Sequence, residues 1–555
     1  MNPLFVPSTP ISASSYPGLN EHSFILPAGF RQEEGRMATT CPILVEQDIP
    51  VHLRDGVTIR VDIFRPVGTE KVPVLMGWSS YGKQASWLTL DLFGHPTRMD
   101  VKKEWEDGLN KFEGPNPAYW VAHGYAVASP DPRGVFMSEG DIQAWGPQEA
   151  RDEYDVIEWL AAQSWCNGKV GLSGTSMLAM TQYFVAALRP PHLAAIAPCE
   201  GASDLYRDNL ARGGMPAKLF ASQIFSHVYG NGRTEDLAGM IDREPLYGEY
   251  WASKTADLER IVTPAYIVAS WTNLVHTGGT FRAWERISSP EKWLRVHNTH
   301  EWHEYYHPDH VEELRRFFDY YLKGINNNWP DTPRVRLAVL NPGHEDILDR
   351  NESEFPLKRQ QYRRLYLAEQ NRLSESPLAH SAAVRYVPGE EYATFRIGCD
   401  RDMEITGYIM LKLWVEVEGS DDMDLFAFVR KRDGEGRLLL SRVVTGRIFA
   451  GANGRLRVSL RESEESTPYR PEPFFREEKK LSRGEIVPVC IGFWPMSMRW
   501  NRGEVLELVV CGHDLLVRPE FPDMPAEENF NRGTHVLHIG GNFDAFLALP
   551  CIETA

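Results

Sequence analysis

The sequence predicts an α/β unit followed by an all-β unit. Between about residues 46 and 330, short apolar runs alternate with segments whose apolar residues recur at helical spacing, which is typical of a buried parallel sheet covered by helices. After about residue 330 helical periodicity becomes scarce, and short strand-like runs separated by turns follow one another. A chain of 555 residues is long enough for two or three such domains.

The α/β unit begins with a hairpin. Asp55-Gly56 lies between two β-branched runs, and this pair accepts the positive φ that a tight hairpin turn requires. We then expect a strand at VPVLMGW, a strand after the turn at Gly124, a helix in ARDEYDVIEWLAAQSW, a strand at KVGLSG, a helix in MLAMTQYFVAALR that ends before Pro190-Pro191, and a strand at HLAAIAP.

Residues 201–258 interrupt this alternation, so we interpret them as a helical cap inserted between two strands. The alternation resumes with TPAYIVAS, TFRAWERI, EKWLRVHN and HVEELRRFFDYYLKG, the last ending at Gly324. Residues 1–45 are rich in Pro, Ser and Gly and are expected to form an extension on the surface, or else a disordered tail. The predicted domains are therefore 1–45, the α/β domain at 46–200 and 259–330, the cap at 201–258, and a β-sandwich or jelly roll at 331–555.

Charge and composition exclude several classes of function. The formal net charge is −17, which disfavours nucleic acid and anionic lipid as partners, and no run of 18 apolar residues is present to span a membrane. The seven cysteines form no CxxC pair, and the N-terminus lacks a basic start and an apolar segment, so we expect a cytoplasmic protein without disulfides or a signal peptide. The cluster of His303, His307 and His310 does not have the spacing of a ligand set, and we expect neither a metal nor another cofactor.

The most informative stretch is Gly174-Thr175-Ser176, which lies between a predicted strand and a predicted helix. A nucleophilic serine of the elbow type occupies such a sharp turn, and the N-terminus of the following helix points its free N–H groups at the developing oxyanion. The pattern Gly-x-Ser-x-Gly would place glycine at position 178, where this chain has Leu178. A helix cap is the alternative role for Ser176.

A series of further motifs, in this order along the chain, resembles the cocaine esterase and X-prolyl dipeptidyl-peptidase (CocE/NonD) family of serine hydrolases. The matching stretches are Tyr81-Gly82-Lys83, Asp131-Pro-Arg133-Gly134 with Ser138-Glu139-Gly140, Asp155-x-Ile-Glu-Trp159, Trp165-Cys-Asn-Gly168-Lys-Val-Gly171, Gly174-Thr-Ser176, Ala195-Ile-Ala-Pro198, Asp204-Leu-Tyr206-Arg207, Gly213-Gly214 and Ile539-Gly540-Gly541. The resemblance covers roughly residues 45–550. It implies an α/β-hydrolase domain with a helical cap and a C-terminal jelly roll, in which Ser176 attacks an acyl carbon while the Tyr81 hydroxyl and the Met177 backbone N–H hold the oxyanion.

The base and the acid remain open at this stage. The family has an aspartate where this chain has Asn273, and an asparagine in that role of a serine triad costs ~10⁴-fold in rate. The spacing of the resemblance favours His300 as the base with Asn273 as its partner, while His297 and His303 lie close enough in sequence to stay candidates. In a second arrangement the two loops exchange roles, with His276 as the base and Glu301 as its carboxylate.

Three functions are compatible with these residues. The first is a serine hydrolase that cleaves a carboxylic ester or amide of a small-molecule acyl substrate through an acyl-enzyme, without a cofactor. The second uses the same acyl-serine for acyl transfer, cyclisation or C–C cleavage. The third is a degenerate hydrolase that only binds its ligand. The sequence determines neither the substrate nor the oligomeric state, and a homo-oligomer is compatible with it.

Overall fold

The structure is a computed structural model. It describes residues 2–83, 89–93, 97–218, 222, 225, 228–442, 448–449, 451–464, 469–515 and 529–553.

The first unit is built on a mixed sheet that has eleven strands in the described part of the chain. The strands of this unit, with two short ones outside the main sheet (β1 and β9), are β1 Phe5–Pro7, β2 His22–Leu26, β3 Ile43–His52, β4 Thr58–Pro66, β5 Val72–Met76, β6 Ala126–Asp131, β7 Cys166–Thr175, β8 Leu193–Cys199, β9 Arg233–Glu235, β10 Ala265–Ser270, β11 Lys292–His297, β12 Val335–Val339 and β13 Ile347–Glu352. The eleven strands of the main sheet lie side by side in the order β13-β12-β11-β10-β8-β7-β5-β6-β4-β3-β2. Strands β6 to β12 of this order are parallel neighbours, and β5, β6 and β10 are buried along their whole length, as expected for a sheet covered on both faces.

Helices connect the parallel strands, so the predicted alternation of buried strands and helices is confirmed. They are α1 Leu90–Phe93, α2 Pro117–Ala122, α3 Pro147–Ala161, α4 Met177–Ala186, α5 Leu237–Arg243, α6 Glu249–Ser253, α7 Thr277–Arg286, α8 Glu301–Tyr306 and α9 Pro308–Lys323. Proline opens α3 and α9, where its missing N–H would have no helical acceptor, and Gly324 ends α9 with φ 70°. In the described residues no helix is long and apolar enough to cross a bilayer.

Three strands belong to the central sheet although the sequence pattern did not assign them to it. Strand β2 lies within the predicted N-terminal extension and pairs with β3 at the edge of the sheet. Strands β12 and β13 lie beyond residue 330, in the predicted all-β domain, but β12 pairs in parallel with β11 and β13 pairs antiparallel with β12. These are short strands whose pairing is decided by residues outside the strand itself, and local periodicity carries no signal for that.

The second unit is all-β, as the sequence predicts. Its strands are β14 Gln361–Ala368, β15 Arg372–Ser374, β16 Ala382–Tyr386, β17 Ala393–Gly398, β18 Met403–Gly407, β19 Met410–Glu418, β20 Asp424–Arg432, β21 Leu438–Leu439, β22 Ser441–Arg442, β23 Ile448–Phe449, β24 Ala452–Arg457, β25 Ser463–Glu464, β26 Glu472–Pro473, β27 Val487–Gly492, β28 Met496–Trp500, β29 Val505–Cys511, β30 Thr534–Ile539 and β31 Phe546–Ile552. Most of them form one largely antiparallel assembly, in which β19, β20, β29 and β31 are central. The jelly-roll topology and the domain boundaries stay predictions.

The segment 201–258 lies between β8 and β10, where the sequence predicts a cap. Its described residues include α5 and α6 but also β9, which pairs with β1 of the N-terminal extension. It also contacts the all-β unit, since the Arg212 guanidinium lies 3.5 Å from the ring centre of Trp494 and donates to the Asn453 carbonyl oxygen at 2.9 Å. The segment therefore bridges the two units beside the C-terminal ends of the parallel strands.

Candidate active site

Ser176 lies at a strained turn between β7 and α4. Its φ of 56° and ψ of −117° are outside the regions that most non-glycine residues occupy. Its backbone N–H faces the carbonyl oxygens of Cys199 and Glu200 at 3.1 and 3.0 Å, which ties the turn to the end of β8. A strained serine between a buried strand and a helix is the geometry of a nucleophile elbow.

The Leu178 side chain occupies space that nearby glycines leave free. A Cβ atom on Gly174 would lie 2.4 Å from Leu178 Cβ, and a Cβ atom on Gly77 would lie 3.1 Å from Leu178 Cδ2. The close approach of strand and helix is therefore obtained although the glycine of the usual pattern is absent, because glycines on two neighbouring segments provide the room.

His276 is the imidazole that the structure brings to Ser176. Its Nε2 lies 3.0 Å from Ser176 Oγ, and the residue immediately precedes α7. The side chain is buried, which lowers the pKa of His276 to about 3, so the ring is neutral throughout the neutral range and can accept a proton. Its Nδ1 is buried and, among the described residues, makes no hydrogen bond.

Glu301 and Asn273 join the His276 loop to the loop after β11. Glu301 Oε2 lies 3.7 Å from His276 Nε2 and accepts a hydrogen bond from Asn273 Nδ2 at 2.9 Å. Asn273 Oδ1 accepts from the backbone N–H groups of Val275 and His276 at 3.0 and 3.1 Å. Asn273 thus holds the His276 backbone with one end of its amide and the Glu301 carboxylate with the other. The carboxylate faces the same nitrogen that faces the serine, so it is positioned to stabilise an imidazolium charge.

The other candidate histidines, which lie from the end of β11 into α8, have different contacts. His300 Nδ1 accepts from the Trp302 backbone N–H at 3.1 Å, which makes His300 the N-cap of α8. His297 Nε2 lies 2.6 Å from Glu200 Oε1, and the His303 ring packs edge-on against Trp105. The spacing of the resemblance favours His300, whose Nδ1 caps a helix, whereas the imidazole in contact with the serine is that of His276. Which of the two is the base stays a prediction.

The two groups that the resemblance implies for the oxyanion are the Tyr81 hydroxyl and the Met177 backbone N–H. The Tyr81 hydroxyl interacts with the Ser176 hydroxyl, and burial raises the pKa of Tyr81 well above its usual value, so the phenol keeps its proton. Met177 is the first residue of α4, where a backbone N–H has no acceptor within the helix. Both groups that the resemblance implies for the oxyanion therefore lie next to Ser176.

Glu113 also lies at this place, and no sequence motif indicated it. Its Oε1 accepts from Trp302 Nε1 at 2.7 Å, and its carboxyl group is close enough to the Tyr81 hydroxyl and the Met177 amide for both to influence its pKa. The residue belongs to an irregular turn, so neither helical nor strand periodicity could have marked it as buried.

The remaining charged residues singled out from the sequence hold loops. Arg133 pairs with Asp152 at 2.7 Å and with Asp55 at 2.7 Å, and Arg207 pairs with Asp204 at 2.8 Å. Among the described residues no group of three or more His, Cys, Asp or Glu side chains is arranged to hold a metal ion.

Comparison with known proteins identifies the family. The S15 family X-Pro dipeptidyl-peptidase matches residues 55–303, and the C-terminal non-catalytic domain of X-Pro dipeptidyl-peptidases matches residues 327–548. Cocaine esterase from Rhodococcus is 27% identical over 383 residues, which are 58% of this chain and 62% of that enzyme, so this match spans less than two thirds of the esterase. A putative serine esterase from Mycobacterium tuberculosis is 21% identical over 589 residues and covers 84% of this chain and 90% of the relative.

A crystal structure agrees over almost the whole chain. A CocE/NonD family hydrolase from Staphylococcus aureus superposes with a TM-score of 0.89 at 34% identity, covering 96% of this chain and 97% of that one. The agreement includes both the α/β unit with the serine and the all-β unit. This chain therefore belongs to the CocE/NonD family of hydrolases, among serine esterases and X-Pro dipeptidyl-peptidases.

Proposed function

We propose that the protein hydrolyses a carboxylic ester or amide of a small acyl substrate through an acyl-enzyme on Ser176. The observation that carries this proposal is the distance of 3.0 Å between His276 Nε2 and Ser176 Oγ at a strained turn. A serine hydroxyl is a weak nucleophile at neutral pH, and a neutral imidazole at this distance is the base that it needs.

In the first step Ser176 Oγ forms a bond to the acyl carbon and its proton passes to His276 Nε2. The negative charge that develops on the acyl oxygen is stabilised in this proposal by the Tyr81 hydroxyl and the Met177 N–H. His276 then returns the proton to the departing alkoxide or amine as the bond between carbon and leaving group breaks. A water molecule, deprotonated by His276, hydrolyses the acyl-serine in the same way.

Glu301 is the proposed acid of this mechanism and Asn273 its positioning residue. A carboxylate 3.7 Å from the protonated nitrogen favours the imidazolium over the neutral ring. Asn273 fixes the relative position of the two loops because one side chain bonds to both. In this arrangement the acid lies at the start of α8 and the base immediately before α7, which is the reverse of the usual chain order, so the family's aspartate position can carry an amide.

The experiment that tests the function is covalent labelling with a fluorophosphonate, followed by peptide mass spectrometry and by assays on p-nitrophenyl esters of increasing acyl length. We expect Ser176-dependent labelling and turnover of at least one ester. Folded protein that is not labelled, or a Ser176→Ala variant that is labelled at the same rate, would contradict the proposal. Arg207→Lys is a matched control, because it alters an ion pair in the cap segment and leaves the serine and its contacts in place.

A further inference from the structure

Glu113 is a buried carboxyl group that the mechanism above does not use. The backbone of Glu113 is tied to the strand that leads to Ser176, because its carbonyl oxygen accepts a hydrogen bond from the Thr175 N–H at 3.2 Å. The φ of Glu113 is 66°, in the left-handed region. Its Oε1 is anchored by Trp302 Nε1 at 2.7 Å. Its Oε2 is buried and, among the described residues, forms no hydrogen bond of ordinary geometry.

The surroundings of Glu113 favour its neutral form. Burial raises the pKa of Glu113 to about 8, against the opposing effect of the nearby donors of Trp302, Tyr81 and the Met177 amide. In the described part of the chain, the ionisable groups around it include Tyr81, from the loop after β5, and Tyr305 and Tyr306 of α8, and Glu301 acts on the same Tyr81 phenol. Burial raises the pKa of all three phenols, so none of them ionises around pH 8.

The protonation state of this carboxyl group decides where the phenol proton of Tyr81 points. A neutral acid can donate its O–H to the Tyr81 oxygen, which leaves the phenol O–H free to donate elsewhere. An ionised carboxylate only accepts, so it would attract the phenol O–H towards itself and would also place a negative charge beside the oxyanion.

We propose that Glu113 is a positioning residue of the oxyanion site, and that its neutral carboxyl group directs the Tyr81 hydroxyl towards the acyl oxygen. This inference rests on the proposed function of Ser176 and extends it to a residue that touches no substrate atom. The oxyanion site therefore stabilises the acyl oxygen when Glu113 is protonated and loses the Tyr81 donor when Glu113 ionises.

The test is the rate of Ser176 labelling by a fluorophosphonate, measured with the full chain from pH 6 to pH 9.5. A carboxyl group with a pKa of about 8 is about nine-tenths neutral at pH 7 and about one-tenth at pH 9, so the wild-type rate should fall about tenfold between these values. In Glu113→Gln the amide NH₂ replaces the acidic O–H as a donor at every pH, and the ratio of the rates at pH 9 and pH 7 should stay within about twofold of one.

Two controls separate Glu113 from other ionisations. Glu153→Gln alters another buried carboxyl group with a strongly raised pKa, on α3, and should keep the wild-type fall. Lys111 is two residues from Glu113, and burial lowers its pKa to about 8, but its ammonium group donates to the Ser79 carbonyl oxygen. If Lys111 caused the fall, Glu113→Gln would retain it, and that result would overturn the inference.

The outcomes also distinguish this inference from the proposed function. Labelling at pH 7 that does not depend on Ser176 contradicts the function itself. Labelling that depends on Ser176, but whose wild-type rate does not change between pH 7 and pH 9, contradicts only the role of Glu113, and this measurement needs no variant at position 113 to fold.

Discussion

The substitution Asn273→Asp distinguishes the two arrangements of base and acid. Asn273 Nδ2 donates to Glu301 Oε2 at 2.9 Å, while Oδ1 accepts from two backbone N–H groups. An aspartate can keep the backbone contacts with one oxygen, but its second oxygen then faces the Glu301 carboxylate. If Asn273 were only a weakened version of the usual triad acid, restoring the carboxylate would instead repair the site.

The distance between the side chains at positions 273 and 301 sets the size of the expected effect of Asn273→Asp. Two carboxylate charges about 3 Å apart repel each other by about 5 kcal/mol at an effective dielectric constant of about 20, which is several pKa units. The pair therefore retains one proton near neutral pH and carries about the same charge as Glu301 alone. The imidazolium of His276 gains no further stabilisation, so we expect kcat/KM to be no higher than in the wild type and up to about tenfold lower.

The assay is kcat/KM for the best p-nitrophenyl ester, with thermal unfolding measured on the same samples. Asn298→Asp is a matched control, because Asn298 Nδ2 donates to Asp346 Oδ2 at 2.8 Å outside the site. The repulsion between the two carboxylates should lower the stability of Asn298→Asp, as it does in Asn273→Asp, without a change in kcat/KM. An aspartate in the usual triad role is associated with ~10⁴-fold faster turnover than asparagine, so a gain of more than about 100-fold in Asn273→Asp would refute the exchanged arrangement.

Three further predictions follow from the site and its surroundings. Glu301→Gln removes a charge 3.7 Å from His276 Nε2, worth about 4 kcal/mol at an effective dielectric constant of about 20, and kcat/KM should fall by up to about 10³-fold; an unchanged value would exclude Glu301 as the acid. Tyr81→Phe removes one oxyanion donor, so kcat should fall about 10²- to 10³-fold with a small change in KM, and a loss confined to KM would contradict that role. Burial lowers the pKa of His297, but the carboxylates of Glu304 and Glu200 outweigh it and raise the pKa above its usual value, so its contribution to folding stability is complete below pH ~6.5 and is lost as the pH rises through the raised pKa. Urea unfolding should therefore show a larger difference between the wild type and His297→Gln at pH 6 than at pH 9, and the opposite order would contradict a charged His297.

The elements that sequence patterns predict are those with a strong local signal. The strand that leads to Ser176, the turn and the helix after it are encoded within one continuous stretch, and apolar periodicity identifies the sheet strands around it. Strands β2, β12 and β13 are different, because the sheet to which they belong is decided by contacts outside their own segments. The same holds for Leu178, whose side chain fits only because Gly77 and Gly174 happen to lie against it.

The site itself could be predicted only in part. Ser176 and Tyr81 follow from motifs, but the base does not, since two neighbouring loops each carry a histidine and a polar partner. The choice between them depends on which imidazole makes a local hydrogen bond. The His300 ring accepts one from the first turn of α8, whereas the His276 ring lies against the serine although His276 also precedes a helix. Glu113 could not be found at all, because burial of a carboxyl group in an irregular turn leaves no pattern in the sequence.

The central claim is that His276 activates Ser176, and the most direct measurement compares His276→Asn with His300→Asn. Asparagine is a good N-cap residue, so His300→Asn can keep the cap of α8 while it removes the imidazole. We expect His276→Asn to lower the rate of Ser176 labelling and kcat/KM at least about 100-fold, as removal of a general base does, and His300→Asn to change them by less than about threefold. A large loss in His300→Asn together with near wild-type rates in His276→Asn would contradict the claim.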